Sequence, residues 1–275
     1  MGTIVLPTER RKATDYNPRL MVLFGKPKSG KSSLMASLDN NLIIDLEDGY
    51  RSLDVMCVQA RSASDIFNIK FAIEQKNKEN GDKPFYRFIT IDNATRLEEM
   101  SLPFAASQYR KTSMGQFWGY KKDKIGNILK DSKGNNIIDP TADVRQLPNG
   151  AGWLYMRNAL KEMINMFCPL CDTLILVCHV KDKQIKKNDE ETTEMVVDLA
   201  GKTGDIICGE ADAIGYISRQ GNKTLLSFKG GDNLIRGSRP LHLREKTFVV
   251  AESDDNGNLK VDMSEIFLDK EATVQ

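Results

Sequence analysis

Residues Gly25-Lys26-Pro27-Lys28-Ser29-Gly30-Lys31-Ser32 fit the pattern G-x-x-x-x-G-K-[ST] without departure. The flanks constrain the fold further. The apolar run 20–24 reads as a buried strand that stops at Gly25, and residues 33–38 read as the start of a helix. A strand, a glycine-rich loop and a helix in that order make a phosphate cradle. The glycines let the chain fold back so that successive backbone N–H groups face inward, and the helix adds its positive end. Lys31 is placed to reach the β- and γ-phosphates, and the Ser32 hydroxyl to ligate Mg²⁺. The expected phosphate-binding set is Gly25, Lys26, Pro27, Lys28, Ser29, Gly30, Lys31, Ser32 and Ser33.

Apolar runs recur along the chain with helical patterns between them. Strands are expected at 42–46, 88–91 and 173–178. A helix is expected at 62–76, with Ser64 as its cap and Ile66, Ile69 and Ile73 on one stripe. A second is expected at 95–109. A third, at 152–167, carries a stripe of Trp153, Met156, Leu160, Met163, Ile164 and Phe167. Strands alternating with helices, without tight hairpins, predict a mainly parallel sheet flanked by helices, the arrangement of an α/β nucleotide-binding domain. Farther on the pieces shorten. Hairpin signals at Gln220-Gly221-Asn222-Lys223 and Asp254-Asp255-Asn256-Gly257 predict antiparallel strands added to the sheet edge. Residues 1–18 read as an arm ahead of the first strand, and 19–275 as one domain. Within it 111–150 is a long polar insertion, with a turn at Lys133-Gly134 and no evident repeat.

Composition excludes little. Lys and Arg total 39 against 38 Asp and Glu, so any surface for a polyanion must come from local clustering. No run is long enough to span a membrane and the first residues are polar, which predicts a soluble, cytoplasmic protein. Five cysteines form no disulfide framework. The lone pair Cys168 and Cys171 reads as packing at a helix end rather than a zinc site.

Polar residues stand at the C-terminal ends of all four core runs: the loop after Phe24, Glu47 after Leu46, Asp92 after Ile91 and His179 after Cys178. Open α/β sheets bind ligands along that edge. Asp92 is the expected carboxylate partner of Mg²⁺, with Ser32. Glu47 is the expected carboxylate for orienting and deprotonating an attacking water, with Asp45 and Asp48 as competitors. His179 is placed to sense a γ-phosphate by donating a hydrogen bond.

With these features in view, the chain resembles the RecA-like ATPases, and among them the shortened, phage-encoded proteins of single-strand annealing and recombination. The likeness rests on Gly25–Ser33, on Ile43-Ile44-Asp45-Leu46-Glu47-Asp48-Gly49, on Phe88-Ile89-Thr90-Ile91-Asp92-Asn93, and on the run ending in Val177-Cys178-His179-Val180. It implies a RecA-like fold and ATP hydrolysis with Mg²⁺, in which Lys31, Glu47 and His179 serve catalysis. It also implies homo-oligomers on single-stranded DNA, working with other recombination or replication proteins in the host cytoplasm. RecA proteins place a glutamine where this chain has His179-Val180, and none of their longer terminal domains is evident here.

In RecA-like folds two loops face DNA. Their counterparts, about 111–150 and 181–197, hold Phe117, Trp118, Lys121 and Lys122, then Lys181, Lys183 and Lys186. Lysines neutralise phosphates and aromatics stack on unpaired bases. A finger reaching a neighbour's site could come from Lys229, Arg236 or Arg239, and spacing does not choose among them. Two other functions fit the same motif. One is a nucleotide-dependent assembly module with no DNA role; the weaker one is a small-molecule kinase, for which no arginine-rich lid is evident.

Overall fold

The computed structural model describes residues 6, 8–10, 12–187, 190–231, 234–256 and 258–269. In chain order it builds β1 (Leu20–Phe24), α1 (Lys31–Ala36), β2 (Asn41–Asp45), β3 (Met56–Gln59), α2 (Ala63–Glu79), β4 (Phe88–Asp92), α3 (Ala94–Met100), α4 (Leu102–Arg110), α5 (Ala151–Asn165), β5 (Thr173–Cys178), β6 (Val180–Lys187), β7 (Glu190–Val197), α6 (Thr203–Glu210), β8 (Ala213–Gln220), β9 (Lys223–Ser227), β10 (Gly237–Ser238), β11 (Thr247–Ser253) and β12 (Leu259–Val261).

One sheet carries all of the strands except β6 and β7, in the order β12-β11-β9-β8-β1-β5-β4-β2-β3, with β10 pairing β8. The six strands from β8 to β3 run parallel. This is a P-loop NTPase arrangement. Every residue of β1, β2, β4 and β5 is buried, as continuous apolar runs require of strands covered on both faces. Alternation divides them. Leu20, Val22 and Phe24 face the side packed by α2, α3, α5 and α6, whereas Met21 and Leu23 face α1 and the C-terminal segment with Met263, Ile266 and Phe267. Each such buried side chain contributes about 1.5–3 kcal/mol, so a one-residue slip of β1 exchanges two complete packing sets.

The sequence expectations need several corrections. The run at 213–220 is not an edge addition: β8 lies parallel beside β1, with Val22 opposite Ile214 and Phe24 opposite Tyr216. Beyond β8 the sheet continues antiparallel, through β9, β11 and β12, with the short β10 also antiparallel to β8. β3 was not among the expected strands: it is the outermost strand, mostly exposed, and its apolar run, Val55 to Val58, is short. The helix expected at 95–109 is two, separated at Ser101. Trp153 leaves the α5 stripe and is 46% exposed, while Met156, Leu160, Met163, Ile164 and Phe167 are buried as expected. The segment at about 181–197, expected as a DNA-facing loop, forms the antiparallel pair β6–β7, beginning directly after His179. Cys168 and Cys171 turn their thiols back on the carbonyls of Ile164 and Phe167 at the end of α5.

The cap of α2 is Ser62, not Ser64. Its hydroxyl oxygen accepts from the Asp65 N–H and its O–H donates to the Asp65 carboxylate. Ser62→Ala is therefore expected to cost about 0.5–2 kcal/mol, and Ser64→Ala much less, in parallel urea melts.

The insertion 111–150 contains a repeat that composition hides. Residues 119–126, 127–134 and 135–142 each place an aspartate fifth: Asp123, Asp131 and Asp139. Their hydrogen bonds close a ring. Lys121 N–H donates to Ile137, Ile137 to Leu129, and Leu129 to Lys121. Each aspartate accepts a backbone N–H two residues on, from Ile125, Lys133 and Thr141. The arm, finally, is bound at its end: Asn17 exchanges two hydrogen bonds with the Leu268 backbone, and Asp15 meets His242 at 2.9 Å.

Candidate active site

β5 lies between β1 and β4, so the loop after β1 and Asp92 at the end of β4 stand on one edge, a strand apart. The loop's tight form has two visible causes. A Cβ on Gly25 would lie 2.4 Å from the Ile217 carbonyl oxygen, because β8 runs against it. Gly30 has φ +98°, in the region that favours glycine. Lys26, Pro27 and Lys28 are exposed, Ser29 is buried and Ser33 is half-buried at the start of α1.

Lys31 is 8% exposed, and its Nζ donates to the carbonyls of Gly25 at 2.8 Å and Lys26 at 2.9 Å. Burial pulls its ammonium below the ordinary lysine range, against the attraction of Asp92. Asp92 is 9% exposed, and burial pushes its carboxyl up, against a 2.6 Å hydrogen bond from the Tyr50 hydroxyl. The Ser32 hydroxyl donates to the same Asp92 oxygen at 3.4 Å.

Of the three candidate carboxylates, two are occupied. Asp45 is 3% exposed and accepts from the N–H groups of Glu47 at 3.0 Å and Tyr50 at 3.4 Å, bracing the turn. Asp48 turns outward to Arg51 and Gln59. Glu47 faces the edge, with Oε2 3.4 Å from His179 Nε2. Asn93 decides the character of that contact. Its Oδ1 accepts from the Arg96 N–H, so its amide N–H donates to His179 Nε2 at 2.9 Å. Nε2 is then an acceptor, and Glu47 Oε2 receives no proton from it and is free to accept from water. His179 lines the same edge, with its Nε2 against Asn93 and its Nδ1 buried without a partner.

A cavity of about 320 Å³ joins these groups. Besides Lys28, Gly30, Lys31, Ser32, Ser33, Glu47, Asp92 and His179, it is lined by Tyr50, Arg219, Thr224 and Leu259. Sequence reasoning missed the last four. Arg219 and Thr224 sit opposite one another where the β8–β9 hairpin overruns the sheet edge and walls the loop. On the other side of Glu47 opens a cleft of about 740 Å³, lined by Asp48, Gln59, Arg61, Thr95, Arg96 and Glu99.

A family described as an AAA domain matches residues 17–240, which include every strand and loop of this site except Leu259. The chain belongs to the AAA-domain family. No curated protein matches it. Membership of this P-loop family supports nucleotide binding and ATPase activity in general. A triphosphate and its metal fit the AAA-domain site: the Ser29 hydroxyl is buried there with no partner, and Ser32 and Asp92 offer the hard oxygen donors that magnesium takes.

The remaining expected residues lie elsewhere. Phe117 is 63% exposed and Lys121 and Lys122 are exposed, but Trp118 is half-buried and packs edge-on against Tyr109 at 5.4 Å, so it is not free to stack on a base. Lys181 lies 3.3 Å from Asp198 and Lys183 3.7 Å from Asp205, both in solvent-exposed ion pairs. The Lys186 side chain lies outside what the structure describes. Lys229 is exposed. Arg236 donates to Ser227 at 3.2 Å, and Arg239 binds Asp212 and the carbonyls of Gly209 and Glu210, capping α6 in its own chain. No helix among the described residues is long and apolar enough to cross a membrane.

Proposed function

We propose that the protein is a Mg²⁺-dependent, RecA-like ATPase that assembles with copies of itself and acts on single-stranded DNA in phage-type recombination, annealing or replication. In this proposal residues 1–18 are an arm and 19–275 one ATPase domain. It works in the host cytoplasm beside other recombination or replication proteins. The observation that carries the ATPase part is the convergence of Lys31, Ser32, Asp92 and an unencumbered Glu47 on one cavity at the C-terminal edge of a parallel sheet.

Each side chain has a role that its surroundings allow. Lys31 neutralises the β- and γ-phosphates from within the loop. Ser32 and Asp92 hold the metal, which when bound offsets phosphate charge. Glu47 aligns a water and takes its proton, the contribution that remains once positioning and electrostatics have been supplied. The cleft beyond Glu47 gives a neighbour's cationic side chain a route to the γ-phosphate; of the candidates Lys229 and Arg239 are exposed, Arg239 beside Asp212 of its own chain.

For DNA, the insertion supplies the support. Its carboxylates Asp123, Asp131 and Asp139 are turned into their own turns, while Lys121, Lys122, Lys124, Lys130 and Lys133 stay exposed beside Phe117. The β6–β7 hairpin argues the other way, because its register sets Lys183 opposite Glu194. That pairing suits a protein contact, as in an assembly module.

ATP turnover with and without a single-stranded oligonucleotide, at two salt concentrations, tests the proposal. Turnover is expected to rise with oligonucleotide and binding to fall with salt. Lys121→Ala and Lys122→Ala should each lower the salt slope by about 0.7. A flat rate and salt-indifferent binding would remove the DNA part and leave the assembly module.

A further inference from the structure

Tyr50 belongs to none of the motifs, yet it joins two of them. It is 4% exposed and its ring packs in the cluster formed by Met21, Leu34, Ile43 and Val177. Its backbone N–H donates to Asp45 and its hydroxyl donates to Asp92 Oδ2 at 2.6 Å, the oxygen that also takes the Ser32 hydroxyl. Phenylalanine would bury the same ring without a polar group to satisfy. The hydroxyl's partner at this depth is the carboxylate itself, and a buried phenol requires such a partner.

The chain between these contacts is short. Asp45 anchors the turn before Glu47, and Tyr50 anchors it three residues after. One end of the Glu47 loop is therefore fastened to the side chain that ends β4. The Tyr50 hydroxyl thus links the Glu47 loop to the Asp92 carboxylate at 2.6 Å, beside the backbone bond from the Leu46 N–H to the Asp92 carbonyl at 2.8 Å.

We propose that Tyr50 is a positioning residue: its hydroxyl aims the Asp92 carboxylate toward Ser32 for the metal and ties the Glu47 loop to that same carboxylate. This rests on the reading of Asp92 as a metal carboxylate given above. Groups that orient a ligand from behind typically change metal affinity 10–100-fold when removed. Tyr50→Phe removes the oxygen and keeps the ring.

The test compares wild type, Tyr50→Phe and Asp92→Asn, reading Mn²⁺ binding to the full chain with ADP by electron paramagnetic resonance, where no turnover occurs. Tyr50→Phe is expected to bind Mn²⁺ about tenfold or more weakly. The Mg²⁺ concentration for half-maximal ATP turnover should rise in step. At saturating Mg²⁺, kcat should stay below wild type with KM for ATP unchanged, because the Glu47 loop has lost its tether. Metal-free ADP affinity and the thermal midpoint should stay at wild-type values, which separates this role from a merely structural one. If Asp92→Asn loses Mn²⁺ and Tyr50→Phe binds it like wild type, the role of Tyr50 is overturned while that of Asp92 stands. If Asp92→Asn binds Mn²⁺ as wild type does, the reading of Asp92 falls, and this inference falls with it. A lowered midpoint together with wild-type Mn²⁺ binding would make Tyr50 a packing residue and also overturn the proposal.

Discussion

Lys31→Ala is expected to abolish nucleotide binding at concentrations where wild type saturates, and turnover with it. Lys31 is 8% exposed and its ammonium sits against two carbonyls of the loop, those of Gly25 and Lys26. Removing it leaves those carbonyl dipoles, and the nearby Asp92, facing a polyanion with no cation between. Deleting one partner of a buried, hydrogen-bonded charge pair costs about 2–5 kcal/mol, so affinity should fall at least about thirtyfold. The protein itself should not suffer. Burial already disfavours the ammonium, as its lowered pKa indicates, so the alanine variant should unfold at or slightly above the wild-type temperature. Titration of a fluorescent ATP analogue, paired with a thermal melt, checks both signs. Tight binding by Lys31→Ala would mean that the loop amides alone hold the phosphates.

Parts of the molecule were legible because burial leaves a mark on sequence. β1, β4 and β5 are covered on both faces, so they read as uninterrupted apolar runs, and the residues that end them fell where expected. β3 is an edge strand, and its four-residue apolar run, Val55 to Val58, is too short and too exposed to stand out as a buried strand. β8 has a core strand's neighbours but a hairpin's ending, and only its pairing with β1 shows that the core extends to it. The repeat at 119–142 escaped notice because its units share little beyond one aspartate. Backbone bonds between segments, not side-chain type, make them equivalent.

At the site, Lys31, Ser32, Asp92 and Glu47 announced themselves by position after a strand. Tyr50, Arg219 and Thr224 did not, since each reaches the cavity through contacts with residues distant in sequence. Position after the strand favoured Glu47, with Asp45 and Asp48 as competitors, and the turn gives the three carboxylates different surroundings. Two backbone N–H groups consume Asp45, and Asp48, at φ +64°, is carried outward to Arg51. Nor does charge alone show that Lys181, Lys183 and Arg239 each stand beside a carboxylate of their own chain.

The second large effect separates chemistry from binding. Glu47→Gln is expected to bind ATP as tightly as wild type or more so, and to hydrolyse it about 10²–10⁴ times more slowly. Glutamine keeps the length and an acceptor oxygen but cannot take a proton. Glu47 is half-exposed and has no hydrogen bond to the loop residues that hold the phosphates, so their geometry should persist. Replacing its charge removes repulsion toward the triphosphate, which sets the sign of the binding change. The Glu47 N–H to Asp45 bond is made by the backbone and survives the substitution, keeping the turn in place. Single-turnover hydrolysis together with equilibrium ATP binding gives both quantities from one preparation. A fall in affinity equal to the fall in rate would make Glu47 a binding residue. Undiminished turnover would pass the role to Asp45 or Asp48, which would then have to leave the partners that hold them here.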